Sequence, residues 1–235
     1  MKIEVIYPEV CCLFGDKANM RYLRLSLKNA DVFDTPIKEM PRFLKEKPDM
    51  VYFGSCSESN QRLLIERLKD HKNRISELIE GGTVFLMTGN TFEIMGRYIE
   101  NFDGTKTEAL GIFDYYSVQT IPKRLNSLML GRFLDIEIVG YTSRFSNTYK
   151  IPAEMKFISV TKGFGSHIED SFEGVRYKNF FGTYLLGPFL IENPYFTEYL
   201  LKILGEKDAK PAYFCDAEAA YKARLAEFKS NIVFS

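Results

Sequence analysis

The chain is predicted to fold as an α/β protein, with a mostly parallel central sheet covered by helices on both faces. Three observations carry this prediction. The N-terminal part alternates three times between short β-branched or aromatic runs and amphipathic helical patterns, joined by short loops. Asp49–Gly54 and Val84–Met87 are almost wholly apolar, as strands buried on both sides are. The second run meets Thr88-Gly89-Asn90 and continues in a helical pattern through Tyr98, which reads as a buried strand turning sharply into a helix.

Taken in order, Ile3 to Tyr7 is a first strand ended by Pro8. After a loop, Asp16 is placed to cap a helix from Lys17 to Asn29, whose Met20, Leu23 and Leu27 share one face. Asp31 to Ile37 is a second strand, and Asp49 to Gly54 a third, which runs into the small-residue loop Ser55-Cys56-Ser57. Ser59 or Asn60 then caps a long helix to Ile79, carrying Leu63, Leu64, Leu68, Ile75, Leu78 and Ile79, and Gly81-Gly82 stops it. In the second half Asp135–Tyr141 alternates as a half-buried strand, and Lys156–Thr161 and Val175–Tyr177 are further short strands. Gly163 to Asp170 is a glycine-containing loop, and Phe181 to Pro188 a strand ending in a turn. Phe196–Leu204 and Ala217–Phe228 are helices, the latter lying within about residues 216–229. No linker-like composition separates the halves, so residues 1–235 are expected to form one domain.

A chain of 235 residues with 46% hydrophobic content can bury a sizeable core. Lys+Arg and Asp+Glu number 31 each, a balance without the basic footprint of a nucleic-acid binder. The apolar start is short and broken by Glu4, unlike a signal peptide. Phe180–Ile191 is shorter than the roughly 20 residues of a bilayer span and contains Gly and Pro, so no membrane span is expected, and the reading is cytoplasmic. Cys11, Cys12, Cys56 and Cys215 form no CxxC pair, and only His71 and His167 could join them. Buried thiols are therefore expected, without structural zinc or another cofactor.

In a parallel sheet the reactive groups gather beyond the carboxyl ends of the strands, which places the loops after Tyr7, Phe53 and Met87 on one rim. Thr88 is expected there, above a helix N-terminus whose free N–H groups and dipole stabilise a developing anion. Many α/β enzymes hold a nucleophile at such an elbow.

Several segments together resemble class I glutamine amidotransferases of the cobyric-acid-synthase type, and among them the GatD branch of lipid II isoglutaminyl synthases. The opening Tyr7-Pro8-Glu9…Phe14-Gly15-Asp16…Asn19 is similar to the family's Tyr-Pro-Asp…Tyr-Gly-Asp-x-x-Asn. Glu173-Gly174-Val175-Arg176-Tyr177-Lys178-Asn179…Gly182-Thr183-Tyr184-Leu185-Leu186-Gly187-Pro188, followed by Asn193-Pro194, is similar to two long and specific blocks. The resemblance implies a flavodoxin-like domain that hydrolyses glutamine and passes ammonia to a synthetase partner, Mur-ligase-like in the GatD branch. It also implies an elbow cysteine thiolate, an activating histidine and backbone N–H groups holding the oxyanion, here from Gly54, Ser55, Gly89 and Asn90. The chain departs from that pattern at its chemistry. The family's Cys-Gly-Gly falls on Thr88-Gly89-Asn90 with one inserted residue before Gly96, and its histidine falls on Leu186. A substrate-loop glutamine falls on Ser57, and a Glu-Asn-His segment on Thr142-Ser143-Arg144; the Lys-Arg of the family's substrate-binding Lys-Arg-x-x-Gly-Asn falls on Lys123-Arg124, with its Gly-Asn missing.

A threonine hydroxyl needs a positioned base, and leucine cannot supply one. The expectation is a catalytically degenerate homologue that binds glutamine or another small carboxylate, or a synthetase-like partner. Arg124 and Arg144 are candidates to fork a carboxylate, against the ordinary reading of solvated ion pairs. Two alternatives stand beside it. One is an active glutaminase or amidase rebuilt on Cys56 with His167 as its base. The other is a structural assembly subunit using the helical edge Ser59–Ile79 and the C-terminal helix.

Overall fold

Strands with no polar side chain to show to water end up at the centre of the sheet. The computed structural model describes residues 1–206, 208 and 210–230. The N-terminal part runs β1 (Lys2–Ile6), α1 (Asp16–Ser26), β2 (Asp31–Thr35), β3 (Met50–Phe53), α2 (Glu58–Leu68), α3 (Lys72–Glu80) and β4 (Val84–Thr88). Then come β5 (Tyr98–Glu100), β6 (Lys106–Glu108), β7 (Tyr116–Gln119), β8 (Leu125–Phe133), β9 (Ile136–Arg144) and β10 (Ser146–Tyr149). The last described elements are β11 (Lys156–Lys162), β12 (Phe172–Tyr177), β13 (Phe180–Thr183), α4 (Phe189–Glu192), α5 (Pro194–Ile203) and α6 (Phe214–Lys229).

A nine-stranded sheet has the order β2-β1-β3-β4-β13-β12-β11-β8-β9. The half from β2 to β13 is parallel throughout, and the half from β13 to β9 is antiparallel. The sheet is thus mixed, its antiparallel half coming from the alternating strands of the second half of the sequence. β10, β7, β5 and β6 form a second, four-stranded sheet that the hydrophobic pattern did not reveal. Along β3, Met50 and Tyr52 enter one core while Val51 and Phe53 enter the other, and β4 divides Val84 and Leu86 from Phe85 and Met87 in the same way. Helices α1, α4 and α5 cover the first face; α2, α3 and part of the second sheet cover the other.

Two local expectations are corrected. The single helix from Ser59 or Asn60 to Ile79 is two helices joined by a 3₁₀ turn at Lys69–His71. A straight continuation from Leu64 and Leu68 would aim His71 or Lys72 at the core, and the turn keeps both out before Ile75 is buried. Its cap is Ser57, whose hydroxyl accepts from the Asn60 N–H at 3.3 Å. After β4, no α-helix forms: Gly89–Met95 is a 3₁₀ run that leads into β5. Every side chain from Thr91 to Met95 is buried, so the segment has no solvent face, and Thr91 Oγ1 donates back to Thr88 O at 3.0 Å. Gly96 closes the run because a Cβ there would lie 2.7 Å from the Tyr115 ring.

β9 is an edge strand, and its outer polar groups are satisfied one by one. Tyr221 of α6 donates to Glu137 O at 2.9 Å, and Leu186 N donates to Tyr141 O at 3.0 Å. Between them, buried Asn193 accepts from Val139 N and donates to Val139 O and Phe189 O, each at 2.9 Å. One amide therefore imitates a further strand and fixes the α4–α5 junction to the sheet. Asn193→Ala leaves these buried backbone groups unpaired, and a loss of about 2–4 kcal/mol is expected, read as a lower urea midpoint with an unchanged slope.

Candidate active site

Parity along β4 decides where Thr88 points. It shares the face of Val84 and Leu86, and its side chain is fully buried there. Thr88 Oγ1 donates to Asp16 Oδ1 at 2.8 Å and lies 2.9 Å from Tyr52 OH. Thr88 itself is ordinary extended backbone, with φ −105° and ψ 151°. The sharp turn falls one residue later, on Gly89, at φ +66°. Thr88 is thus a structural hydroxyl below the rim, and the elbow position is Gly89.

Gly89 carries no side chain, and none fits. A Cβ built on it would lie 2.3 Å from Ser55 Cβ and 3.0 Å from Ser55 Cα. Ser55 is held in that place from below. Its N–H and its hydroxyl both donate to Asp16 Oδ2 at 2.5 Å. Asp16 is not the helix cap that its position before Lys17 suggests: its carboxylate is buried and caps nothing, and Gly15 occupies the cap position. Asp16 also accepts from Tyr52 OH at 3.0 Å and Asn19 Nδ2 at 3.2 Å. Burial pushes its carboxyl above the ordinary value, against the pull of the Ser55, Thr88 and Tyr52 hydrogen bonds. Gly54, another expected oxyanion residue, is where two loops touch: a Cβ there would lie 2.3 Å from Cys11 O.

Above Gly89 lies a cavity of 180 Å³. It gathers most of the side chains expected at a site: Ser55, Cys56, Ser57, Gly89, Asn90, Arg124, Arg144 and Leu186 all line it. Thr88, Gly54 and His167 do not. His167 instead stacks on Tyr149 of the second sheet, with centroids 4.8 Å apart, and lies 3.9 Å from Asp170. The proposed Cys56–His167 pair is therefore not assembled around the cavity. The Cys56 N–H donates to Asn90 Oδ1 at 3.2 Å, and its thiol lies 3.7 Å from the same oxygen. A hydrogen bond with the neighbouring Cys11 and burial push the Cys56 thiol well above its ordinary value, the opposite of an activated thiolate. Leu186 presents an apolar wall where a base would be needed.

The cationic wall is more developed than the sequence indicated. Arg124 stands exposed at the mouth, stacked 4.2 Å over Phe145, and donates to Ser143 Oγ at 3.1 Å. Arg144 is 5% exposed and lies 4.0 Å over the Tyr184 ring. Its Nη2 donates to Gly165 O at 2.6 Å, while Nε and Nη1 have no hydrogen-bond partner. Behind it sit two buried carboxylates that the elements alone did not point to as site residues. Glu93 accepts from Tyr184 OH at 2.6 Å, Gln61 Nε2 at 2.8 Å and Ser146 Oγ. Glu173 accepts from Thr183 Oγ1 at 2.7 Å and Tyr184 N at 2.6 Å. Glu93 had a signal in the sequence, a lone charge inside Phe92-Glu93-Ile94-Met95. Among the described residues no group of three or more His, Cys, Asp or Glu side chains is arranged to hold a metal.

Comparison with known proteins gives this geometry a context. Residues 2–194 match the CobB/CobQ-like glutamine amidotransferase domain. The lipid II isoglutaminyl synthase (glutamine-hydrolyzing) subunit GatD of Staphylococcus aureus (strain N315) is 31% identical over 201 residues, 85% of this chain and 82% of that protein. The subunit of the same name from Streptococcus pneumoniae (strain ATCC BAA-255 / R6) is 25% identical over 244 residues, 100% of this chain and 94% of that one. Among solved structures, PurLQS from Thermotoga maritima superposes with a TM-score of 0.54 at 12% identity, covering 95% of this chain and 98% of that one. The fold is that of the class I glutamine amidotransferases, flavodoxin-like α/β.

Two outcomes follow from the geometry. Gly89→Ala combines left-handed strain with the Ser55 overlap, and a loss of about 2–4 kcal/mol is expected. In the Ser55→Gly background the same substitution should cost measurably less, so a thermal double-mutant cycle reads a favourable interaction between the two changes. The second concerns pH. Burial lifts the Glu173 carboxyl from 4.5 to about 7, opposed by its bonds from Thr183 and Tyr184. Between those values the folded chain holds a proton that the unfolded chain has released, so this group's contribution is greatest below 4.5 and is lost as the pH rises through about 7. Urea unfolding across that window should show stability falling with pH, and Glu173→Gln should flatten the slope.

Proposed function

The chain belongs to the CobB/CobQ-like glutamine amidotransferase family, and on that premise we propose that it is a catalytically silent member, a one-domain binding subunit that does not release ammonia from glutamine. One observation carries this reading. At the strand-end turn, Gly89 offers no nucleophile, and Ser55 occupies the space into which a side chain would project. Acyl transfer at such an elbow needs an atom to form the covalent bond and a base to take its proton. Thr88 is turned to the opposite side and spends its proton on Asp16, and Leu186 has no basic atom to accept one. Losing both members of a nucleophile–base pair leaves no group to inherit either role.

The partner half of the proposal draws on the relatives, which are by name subunits of a glutamine-hydrolysing synthase. For this chain, the counterpart is a Mur-ligase-like synthetase docking over the mouth of the cavity. Leu13 and Phe14, 41% and 47% exposed, stand there with Arg124 and suit a protein surface more than open water. No helix among the described residues is long and apolar enough to cross a membrane.

The full chain incubated with glutamine, alone and with a co-expressed Mur-ligase-like synthetase, is expected to release no glutamate above the protein-free rate. Turnover abolished by Cys56→Ser would overturn the proposal in favour of a rebuilt active site.

A further inference from the structure

The wall of the cavity has a feature that silence alone does not explain. Arg144 is a fully charged guanidinium removed from water, which is costly unless its donors and charge are matched. Only Nη2 has a protein partner; Nε and Nη1 are unpaired in a side chain that lines the cavity. The nearby carboxylates Glu93 and Glu173 act on its charge through space but make no hydrogen bond to these donors. Glu93 is occupied by Tyr184, Gln61 and Ser146, and Glu173 by Thr183 and the Tyr184 N–H. The face of Arg144 is closed by Tyr184, and Nε and Nη1 are themselves shielded from solvent, so the cavity that the side chain lines is the route by which a ligand reaches it.

The rest of the cavity adds to this field. Arg124 supplies a second guanidinium at the mouth, and the N-terminus of α2 begins at the lining residue Ser57. Glu58, in the first turn of α2, is the one acidic side chain of the lining. The volume of 180 Å³ suits a molecule of amino-acid size and lies below the roughly 300–1,000 Å³ of drug-sized sites.

We infer that this cavity is a site for a small dicarboxylate, with one carboxylate on the buried Arg144 and the other on Arg124 at the mouth, and that it discriminates against the corresponding neutral amide. The inference rests on the reading of the chain as a binding subunit, and names the ligand class of the same cavity. The chemistry is that of charge-assisted donors: an amide oxygen would accept one of them, but it brings no charge to offset the guanidinium, and its NH₂ faces donors. Two sources share the acid chemistry, an acidic amino acid and the keto-acid without its amine. Glu58 favours the former.

Titration calorimetry of the full chain with glutamate, 2-oxoglutarate and glutamine separates these. Glutamate is expected to bind at least about tenfold more tightly than glutamine, a factor in keeping with one charged hydrogen bond. 2-Oxoglutarate binding as well as glutamate would assign recognition to the two carboxylates alone; weaker binding would add the amine and Glu58. Arg144→Gln should weaken both acids by about tenfold or more and narrow their advantage over glutamine. Because a buried substitution can unfold the chain, Ser57→Asp provides a second arm: aspartate keeps the helix cap but adds negative charge to the cavity, so it should weaken the acids and spare glutamine. Glutamine bound as tightly as glutamate, or acids unaffected by both substitutions, overturns the inference. So does a cavity that takes none of the three, an outcome that leaves the absence of turnover standing. Conversely, glutamate released from glutamine defeats the silent reading without touching the affinity ratio.

Discussion

The rim of the sheet is organised by one buried carboxylate. Asp16, the first residue of α1, gathers donors from the ends of two neighbouring strands: the backbone and hydroxyl of Ser55, the hydroxyl of Thr88 and the phenol of Tyr52. A buried acid stripped of these donors would carry its whole desolvation cost, so loop and strand ends are pinned to it rather than merely packed beside it. The close approach of Gly54 to the Cys11 carbonyl and of Gly89 to Ser55 is the steric expression of the same constraint. Both glycines stand where the network pulls two backbones closer than a Cβ permits.

This constraint connects architecture to chemistry. An elbow that presents a nucleophile must leave room on the concave side of the turn, and here Ser55 takes that room. The position of Ser55 and the absence of a side chain at Gly89 are one steric condition, because a Cβ on Gly89 fits only if Ser55 moves. Polar groups beside the turn bond one another: Asn90 accepts from the Cys56 N–H, and Gln61 donates to Asn90 O and Glu93. A loop that satisfies its own donors is poorly disposed to stabilise an oxyanion that comes and goes.

The framework was legible in the sequence because its signals are unambiguous in period. The apolar runs at Asp49–Gly54 and Val84–Met87 could be little else than strands buried on both faces, and the parallel order of β1, β3 and β4 then forced their loops onto one rim. What failed did so for local reasons. Thr88 follows the last apolar residue of the run and so looks like a rim residue, but it shares the parity of Leu86, and counting by twos turns it inward. The run Gly89–Met95 has the residue types of a helix but no solvent face, so the helix expected there is a buried 3₁₀ run instead. The second sheet is made of strands such as Tyr98–Glu100 and Lys106–Glu108, too short to show any period. His167 could not be placed because its neighbour Tyr149 is remote in sequence and belongs to that unread sheet.

The cavity wall carries a charge that does not vary near neutrality. Nucleophilic catalysis by a thiolate draws on a nearby base that can change its charge as the reaction proceeds. Arg144 cannot change its charge near neutrality even with burial pulling its pKa down, so it is a fixed cation rather than a proton carrier. Glu93 and Glu173 lie within its field, and their own donors hold them in place without spanning to it. A fixed positive charge facing a small cavity favours whatever arrives negatively charged and stays so. Such a wall suits the retention of an anion, whereas turnover requires charge to develop and then disperse. The same polypeptide that closed the space at Gly89 thus carries, on the opposite side of the cavity, a group whose physics is that of binding.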